Sequence, residues 1–533
     1  MVTIGPQAAA ALAPQLVAPV PFGVFHDLRW LLVYHSSWFG FVVELWLVLG
    51  IRTVLDALLT RAAWPHEVEV PPWREQVRAS LKFTTVQAIV LLPFAVLVFA
   101  MAVTALSWLF FVAVPVVVMV GLLVHHGAVE PNWWRDPPSR RSARLFMELF
   151  GVLTVGGGLV ALSPAWLRPL VAGGTGLLVA WCRVRMVGAL AGRVANRVRR
   201  RRAPFALVGV ASVLALVVVG TGAGFAVAVA VESGRTPRPE VRSGANGPPV
   251  LVVKGFNSQW GGTTREWVEG DYQLRRFSYR GLDADANPRA YSRDDTHRSV
   301  RALAHAMRRQ VAELRRATGE DVSIVAESEG ALIAQAYVSG TPNAPVRALV
   351  LLSPLVEPGR VHYPDELHDG WGAGWGVVAG TFLDALATGL SWVGPVDVSA
   401  DTPLFRSIVD EEPALRRLLH CPPPGVRSFA VLPLDSGVGT PAPMDIGYRY
   451  AVRPAFHGGL LGDAATQEII ERVLRGQPVK SSGVWSFAAD AVNFGAAAWQ
   501  APSLETSLEP TWDEQLEDSG CADVRAELRS WLD

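Results

Sequence analysis

The chain has 533 residues, half of them hydrophobic, and its 48 Lys and Arg are balanced by 48 Asp and Glu. A zero formal charge offers no electrostatic footprint for nucleic acid, which needs clustered cations against phosphate. The length exceeds one ordinary core, and the apolar excess lies before about residue 231 while Asp, Glu, His and Tyr concentrate after it, so two unlike parts are expected.

In the first part, six stretches reach what a bilayer crossing requires, roughly 20 apolar residues with every backbone group satisfied internally. They lie at about 30–51, 86–104, 107–125, 146–163, 166–182 and 205–231. The run from Val86 to Val124 is too long for one crossing, and its least apolar point, TALS, suits a hairpin between two. The fourth and fifth stretches, GVLTVGGGLVALS and LVAGGTGLLVAWC, contain glycines that lower helix propensity and permit close helix packing.

Charge placement supports a membrane bundle over a soluble one. Arg52, Arg61, Arg74, Arg78 and Lys82 fall between the first and second stretches, Arg135, Arg140, Arg141 and Arg144 between the third and fourth, and the arginines from Arg183 to Arg202 between the fifth and sixth. The alternate loops carry almost only Arg168. Positive loops stay cytoplasmic, so six crossings put both termini outside, and an integral, multi-pass plasma-membrane protein with an extracytoplasmic C-terminal part is expected. The first 25 residues lack the basic start of a cleavable signal peptide, which leaves targeting to the first span. His35 and Glu44 are read as helix contacts, and no chain of intramembrane acids and bases suggests transport.

Residues 232–248 are rich in Gly, Pro, Ser and charge with no apolar period, as in a flexible tether. Of the three cysteines, Cys182 ends the fifth stretch, while Cys421 and Cys521 share the C-terminal part and would form a disulfide in an oxidising compartment.

From Pro249 the pattern becomes short β-branched runs alternating with amphipathic helices. PVLVVKG and QLRRFSYR read as strands; the apolar positions Val300, Leu303, Ala304, Met307, Val311 and Leu314 give a helix with Asp295 and Thr296 as candidate caps, stopping at Gly319. DVSIVAES, PVRALVLLSP, VRSFAVLPLD and YRYAV read as further strands, with EGALIAQAYVSG and ATQEIIERVLRG as helices. Such alternation implies a mostly parallel sheet covered on both faces, with reactive groups at the strands' carboxyl ends.

The unusual polar residues fall at those ends. Ser328 follows a buried strand, flanked at two residues' distance by Ala326 and Gly330, small enough for a strained strand-to-helix turn. Such a turn exposes the hydroxyl and puts the Glu329 N–H at a helix N-terminus, where it can hold an oxyanion with the Phe256 N–H of the loop KGFNS. Asp435 and His457 follow later strands, which gives the chain order Ser, Asp, His; Asp445 is the alternative acid if the strand is shifted. Ser353, in LLSPL, lacks small flanking residues and is read as structural.

Residues 249 to about 478 resemble the α/β-hydrolase family, nearest in pattern to lipases and esterases: VLVVKGF stands at the oxyanion strand, AESEG at the nucleophile elbow, PLDSGV at the acid loop and FHGGLL at the histidine loop. Lys254 stands where many lipases have His, Ala326 where the first elbow glycine is usual, and Glu327 and Glu329 flank the serine. Two such acids would oppose anionic substrates and favour a charged histidine. Apolar length and charge placement give an N-terminal bundle of about six transmembrane helices (1–231), and the resemblance implies that it is joined to an α/β-hydrolase domain (249–533) with a cap insertion at about 357–420. It also implies a Ser328–Asp435–His457 triad, an oxyanion hole from Phe256 and Glu329, and a membrane-anchored serine hydrolase of acyl esters. A lipid or lipophilic ester is the expected substrate and the membrane the expected partner; no cofactor is required, and no metal-ligand spacing appears. An acyltransferase on the same triad and a non-catalytic binding or signalling module remain as alternatives.

Overall fold

The computed structural model describes residues 13–33, 38–103, 110–130, 133, 137–195, 247–263, 271–356, 403–409, 413–440, 444, 446–455, 457–481, 483–499 and 520–533. The expected sixth span, the tether to residue 246, most of the 357–420 insertion, His35 and Asp445 lie outside them.

The N-terminal part is helical: α1 (Val20–Val33), α2 (Trp38–Ala62), α3 (Trp73–Val103), α4 (Phe110–Val124), α5 (Arg140–Leu162) and α6 (Arg168–Ala195). Among the described residues, three segments are long and apolar enough to cross a membrane, Trp73–Ala95, Arg140–Leu162 and Arg168–Gly192, which suggests a membrane protein; Ala113–Ala128 is apolar but shorter. The glycines of α5 serve packing, since a Cβ at Gly156 would overlap Thr175 of α6.

Two arginines assigned from sequence to loops are buried inside helices instead. Arg52 lies in α2 and grips Asp27 of α1 with Nε–Oδ2 at 2.6 Å and Nη2–Oδ1 at 2.7 Å. Arg183 of α6 pairs with Asp56 of α2, whose other oxygen accepts from Ser80 at 2.8 Å. Burying such charges is tolerated because each has an opposite partner and further hydrogen bonds. These partners are far apart in the chain, so the sequence pattern does not pair them.

The C-terminal part holds a six-stranded parallel sheet in the order β2-β1-β3-β4-β5-β6. The strands are β1 (Pro249–Val253), β2 (Gln273–Arg276), β3 (Val322–Glu327), β4 (Val346–Leu352), β5 (Arg427–Pro433) and β6 (Tyr450–Arg453). Every residue of β1 and β3 is buried, as expected of continuous apolar runs covered on both faces. Around it lie α7 (Val300–Thr318), α8 (Glu329–Gly340) and α9 (Ala464–Leu474). α7 starts later than the sequence suggests: Ser299 is its cap, accepting from Ala302 N–H, and Thr296 sits in a preceding 3₁₀ turn. Gly319 closes it with φ 74°.

Beyond the sheet come α10 (Val484–Ala496) and α11 (Cys521–Leu532). Cys421 and Cys521 form a disulfide with Cα atoms 5.3 Å apart, fixing α11 beside the described end of the insertion, where Leu404, Ile408, Leu415 and Leu419 are buried in the sheet domain's core. The bridge closes a span of 100 residues, and a loop of that length implies a stabilisation of about 2–5 kcal/mol. Reduction is therefore expected to lower the thermal midpoint of the sheet domain by several degrees, read by fluorescence-monitored melting with and without dithiothreitol; an unchanged midpoint would show that the bridge does not constrain the unfolded chain.

Candidate catalytic site

β1 has β2 on one side and β3 on the other, so the chain reverses its direction of travel across the sheet between β1 and β3. The carboxyl ends of the strands at such a reversal are the usual place for a ligand on an open parallel sheet. Lys254–Phe256 leave β1 there and Ser328 leaves β3, while Asp435 follows β5 and His457 follows β6.

Ser328 stands between β3 and α8 with φ 57° and ψ −122°, a conformation that costs about 1–3 kcal/mol for a residue with a side chain. Surrounding structure holds it there. The Ser328 N–H donates to Leu352 O at 2.9 Å, and its carbonyl accepts from Ala331 N–H at 2.9 Å, starting the helix. The turn also demands small neighbours: a Cβ at Gly255 would lie 2.7 Å from Ser328 Cβ, and one at Gly330 would lie 2.7 Å from Lys254 O. Ala326, in place of the usual elbow glycine, is fully buried in the sheet domain's core.

The Ser328 hydroxyl is partly exposed, and its Oγ lies 2.7 Å from His457 Nε2. Nothing in local sequence links positions 129 residues apart; the sheet does, by ending β3 and β6 on the same side. By contrast, Ser353, just after β4, is fully buried, and its hydroxyl has no hydrogen-bond partner among the described residues. It is not accessible to solvent.

Asp435 is buried beside the histidine, but it meets the backbone: the His457 N–H points to Oδ2 at 3.5 Å, while Oδ1 has no hydrogen-bond partner among the described residues. A Leu434 N–H bond to Ala455 O at 3.1 Å ties the two loops together. Burial pushes the Asp435 carboxyl up to about 7, opposed by the His457 N–H. Burial likewise pushes His457 down to about 4, so its ring is neutral at pH 7. This reverses the expectation that the flanking acids would favour a charged imidazole.

The reason lies in what happens to those acids. Glu327 Oε2 is 2.8 Å from Lys254 Nζ, so two departures from the lipase pattern are one ion pair across β3 and β1. Glu329 is buried, and burial raises its carboxyl well above the usual carboxylate range. That shift favours the neutral form of the group beside the serine. Glu329→Gln should retain activity within about threefold, because amide and neutral acid have the same shape. The wild type loses stability as pH rises above the ordinary carboxylate range towards the raised carboxyl pKa, since folding then buries a charge; Glu329→Gln should remove that loss, seen as a thermal midpoint that depends less on pH above that range. A collapse of activity in the glutamine variant would mean that the carboxylate is needed charged.

The loop carrying Phe256 is held on both sides. Tyr279 Oη donates to Lys254 O at 2.5 Å, and Asn257 N–H donates to Thr296 Oγ1 at 2.9 Å. The Phe256 ring stacks on His297 with centroids 4.8 Å apart. Neither Tyr279 nor Thr296 is recognisable from sequence as part of the site, because each reaches the loop through a backbone contact across a long connection. Among the described residues no group of three or more His, Cys, Asp or Glu is placed to hold a metal.

Comparisons of the chain with protein-family models, with curated proteins and with solved structures find no match. What the site can do is read from its own geometry. A hydroxyl on a strained, partly exposed turn, a neutral imidazole within hydrogen-bond range, a buried carboxyl behind it and a helix N-terminus beside it are together competent for general-base-assisted nucleophilic attack.

Proposed function

We propose that the protein is a membrane-anchored serine hydrolase of acyl esters, with an α/β-hydrolase domain in which Ser328 is the nucleophile, His457 the general base and Asp435 the orienting acid. The 2.7 Å contact from Ser328 Oγ to His457 Nε2, made at a positive-φ serine, carries the reading. The parallel sheet, with its switch point at Ser328 and its loops in the order nucleophile, acid, base, agrees with it.

In this mechanism the Ser328 proton passes to His457 Nε2 as Oγ bonds to the ester carbonyl carbon, and the carbonyl π pair moves onto oxygen. The oxyanion is held by the N–H groups of Phe256 and Glu329, the latter at the first residue of α8. Collapse breaks the bond to the alkoxy oxygen, which leaves as the alcohol with the proton from His457. Water then repeats the sequence on the acyl-enzyme and restores Ser328. An alcohol acceptor in place of water would make the same intermediate that of a transferase.

The three candidate spans and the Cys421–Cys521 bridge support an anchored protein with its sheet domain in an oxidising, extracytoplasmic compartment. The test is labelling of the detergent-solubilised protein by a fluorophosphonate. Wild type and Ser353→Ala should label, and Ser328→Ala should not. Folded wild type that stays unlabelled would overturn the mechanism.

A further inference from the structure

The two parts of the molecule meet through α10 and the turn after it. A Cβ at Gly157 of α5 would overlap Ala498, and one at Gly158 would overlap the Phe494 ring, so these glycines exist to seat α10 against a candidate span. Trp499 is buried among Phe22, Phe25, His26 and Phe150, and its Nε1 donates to Thr154 of α5 at 3.0 Å. On the other side, Asn493 Nδ2 donates to Gly437 O at 2.9 Å and Thr440 O at 2.8 Å. Those carbonyls belong to the turn that begins at Asp435. Val438 of the same turn packs into the helical part's core.

α10 has two faces. Ala489, Asn493 and Ala496 are buried, whereas Val484, Phe487 and Ala491, spaced i, i+3, i+7 on the opposite face, are exposed, the first two by 72% and 75%. The one charge in the helix, Asp490, lies at the edge of that face. On α5, against which it packs, Val155, Leu159 and Leu162 are also about half exposed. A helix seated on a span by its inner face, with apolar residues on its outer face and Trp485 near its start, has the pattern of a segment in contact with lipid.

We propose that α10 is a lipid-facing helix whose outer face, Val484, Phe487 and Ala491, contacts the bilayer, while Asn493 on its inner face is a positioning residue that ties the Asp435 turn to the membrane part. The proposal rests on the hydrolase reading for its consequence: the reaction centre is held at the bilayer and takes acyl esters presented by it.

The test uses the full chain reconstituted in phosphatidylcholine and phosphatidylglycerol vesicles, with Cys182→Ser removing the buried free thiol. A bimane label on Phe487→Cys is compared with one on Glu320→Cys, exposed beyond α7. The expected result is strong quenching at 487 by nitroxide-bearing lipid and weak quenching by aqueous iodide, with the reverse at 320. Iodide quenching at 487 equal to that at 320 overturns the proposal, and so does protection from both quenchers, which would mean that protein covers the face. For the tie, Asn493→Ala should lower kcat about tenfold, leave KM within twofold and displace the acid limb of the pH profile; a wild-type profile overturns it. Failure of the hydrolase reading would instead appear as unlabelled wild type with the quenching pattern intact.

Discussion

Ser328→Ala and His457→Ala are each expected to lower ester hydrolysis on the order of 10⁴-fold or more, and the double variant is expected to be no slower than the worse single one. The two side chains act as one unit: the hydroxyl is a poor nucleophile until Nε2, 2.7 Å away, accepts its proton, and an imidazole without the hydroxyl has no acyl group to transfer. A residual rate above that in buffer should remain, because the N–H groups at Phe256 and Glu329 still stabilise an oxyanion formed by attack of water. Initial rates on a short-chain ester, with folding checked by melting, measure all three variants. Additive losses would show that Ser328 and His457 act independently and would refute the pair as a relay.

The residues of this pair are legible in the sequence because each sits at a break in pattern. Ser328 interrupts a buried β run with small residues on both sides, and His457 follows a short strand immediately before two glycines, Gly458 and Gly459. The parallel sheet is equally legible, since β1, β3 and β4 are mostly apolar, β-branched-rich runs with helices between them, α7 showing a clear 3.6-residue period. What is not legible depends on pairing at a distance. Lys254 and Glu327 look like two anomalies in a lipase-like pattern and become one ion pair only when β1 and β3 are adjacent. Arg52 and Arg183 read as loop charges by spacing alone, because Asp27 and Asp56 lie on other helices.

The region beyond Val479 carries the clearest lesson of this kind. Its tryptophans form no motif, and composition alone cannot distinguish a loose tail from a packed one. Its meaning lies in complementarity: Gly157 and Gly158 of α5 leave space that Ala498 and Phe494 fill, and Asn493 supplies two donors to carbonyls of the acid turn. The same GGG run that weakens α5 as an isolated helix is what lets another helix approach it.

Asp435→Asn is expected to lower activity on the order of 10⁴-fold while making the protein more stable above neutral pH, and the two effects have one cause. Burial holds the Asp435 carboxyl at about 7 against an ordinary value near 3.8. A carboxyl raised in this way contributes stability that is fully present below its unfolded value and is lost as pH rises through about 7, because folding then buries a charge. The asparagine oxygen can still accept from the His457 N–H, and the amide stays neutral at every pH, so the variant escapes that loss. His457 behaves in the opposite sense: its pKa is lowered to about 4, so its contribution is present at neutral pH and lost on acidification towards 4. That contribution is common to both proteins and cancels in the difference. Thermal midpoints should therefore nearly coincide below pH 4, differ in part by pH 5 and favour the variant by several degrees at pH 8. The wild-type rate should rise with pH through about 7, as the acid and histidine together give up one proton to reach neutral imidazole beside carboxylate. The asparagine variant cannot stabilise the imidazolium formed during attack, so it should lose both the rate and that limb. Equal midpoint differences at pH 5 and pH 8 would mean that Asp435 is ionised throughout, and the rise near pH 7 would then belong to another group.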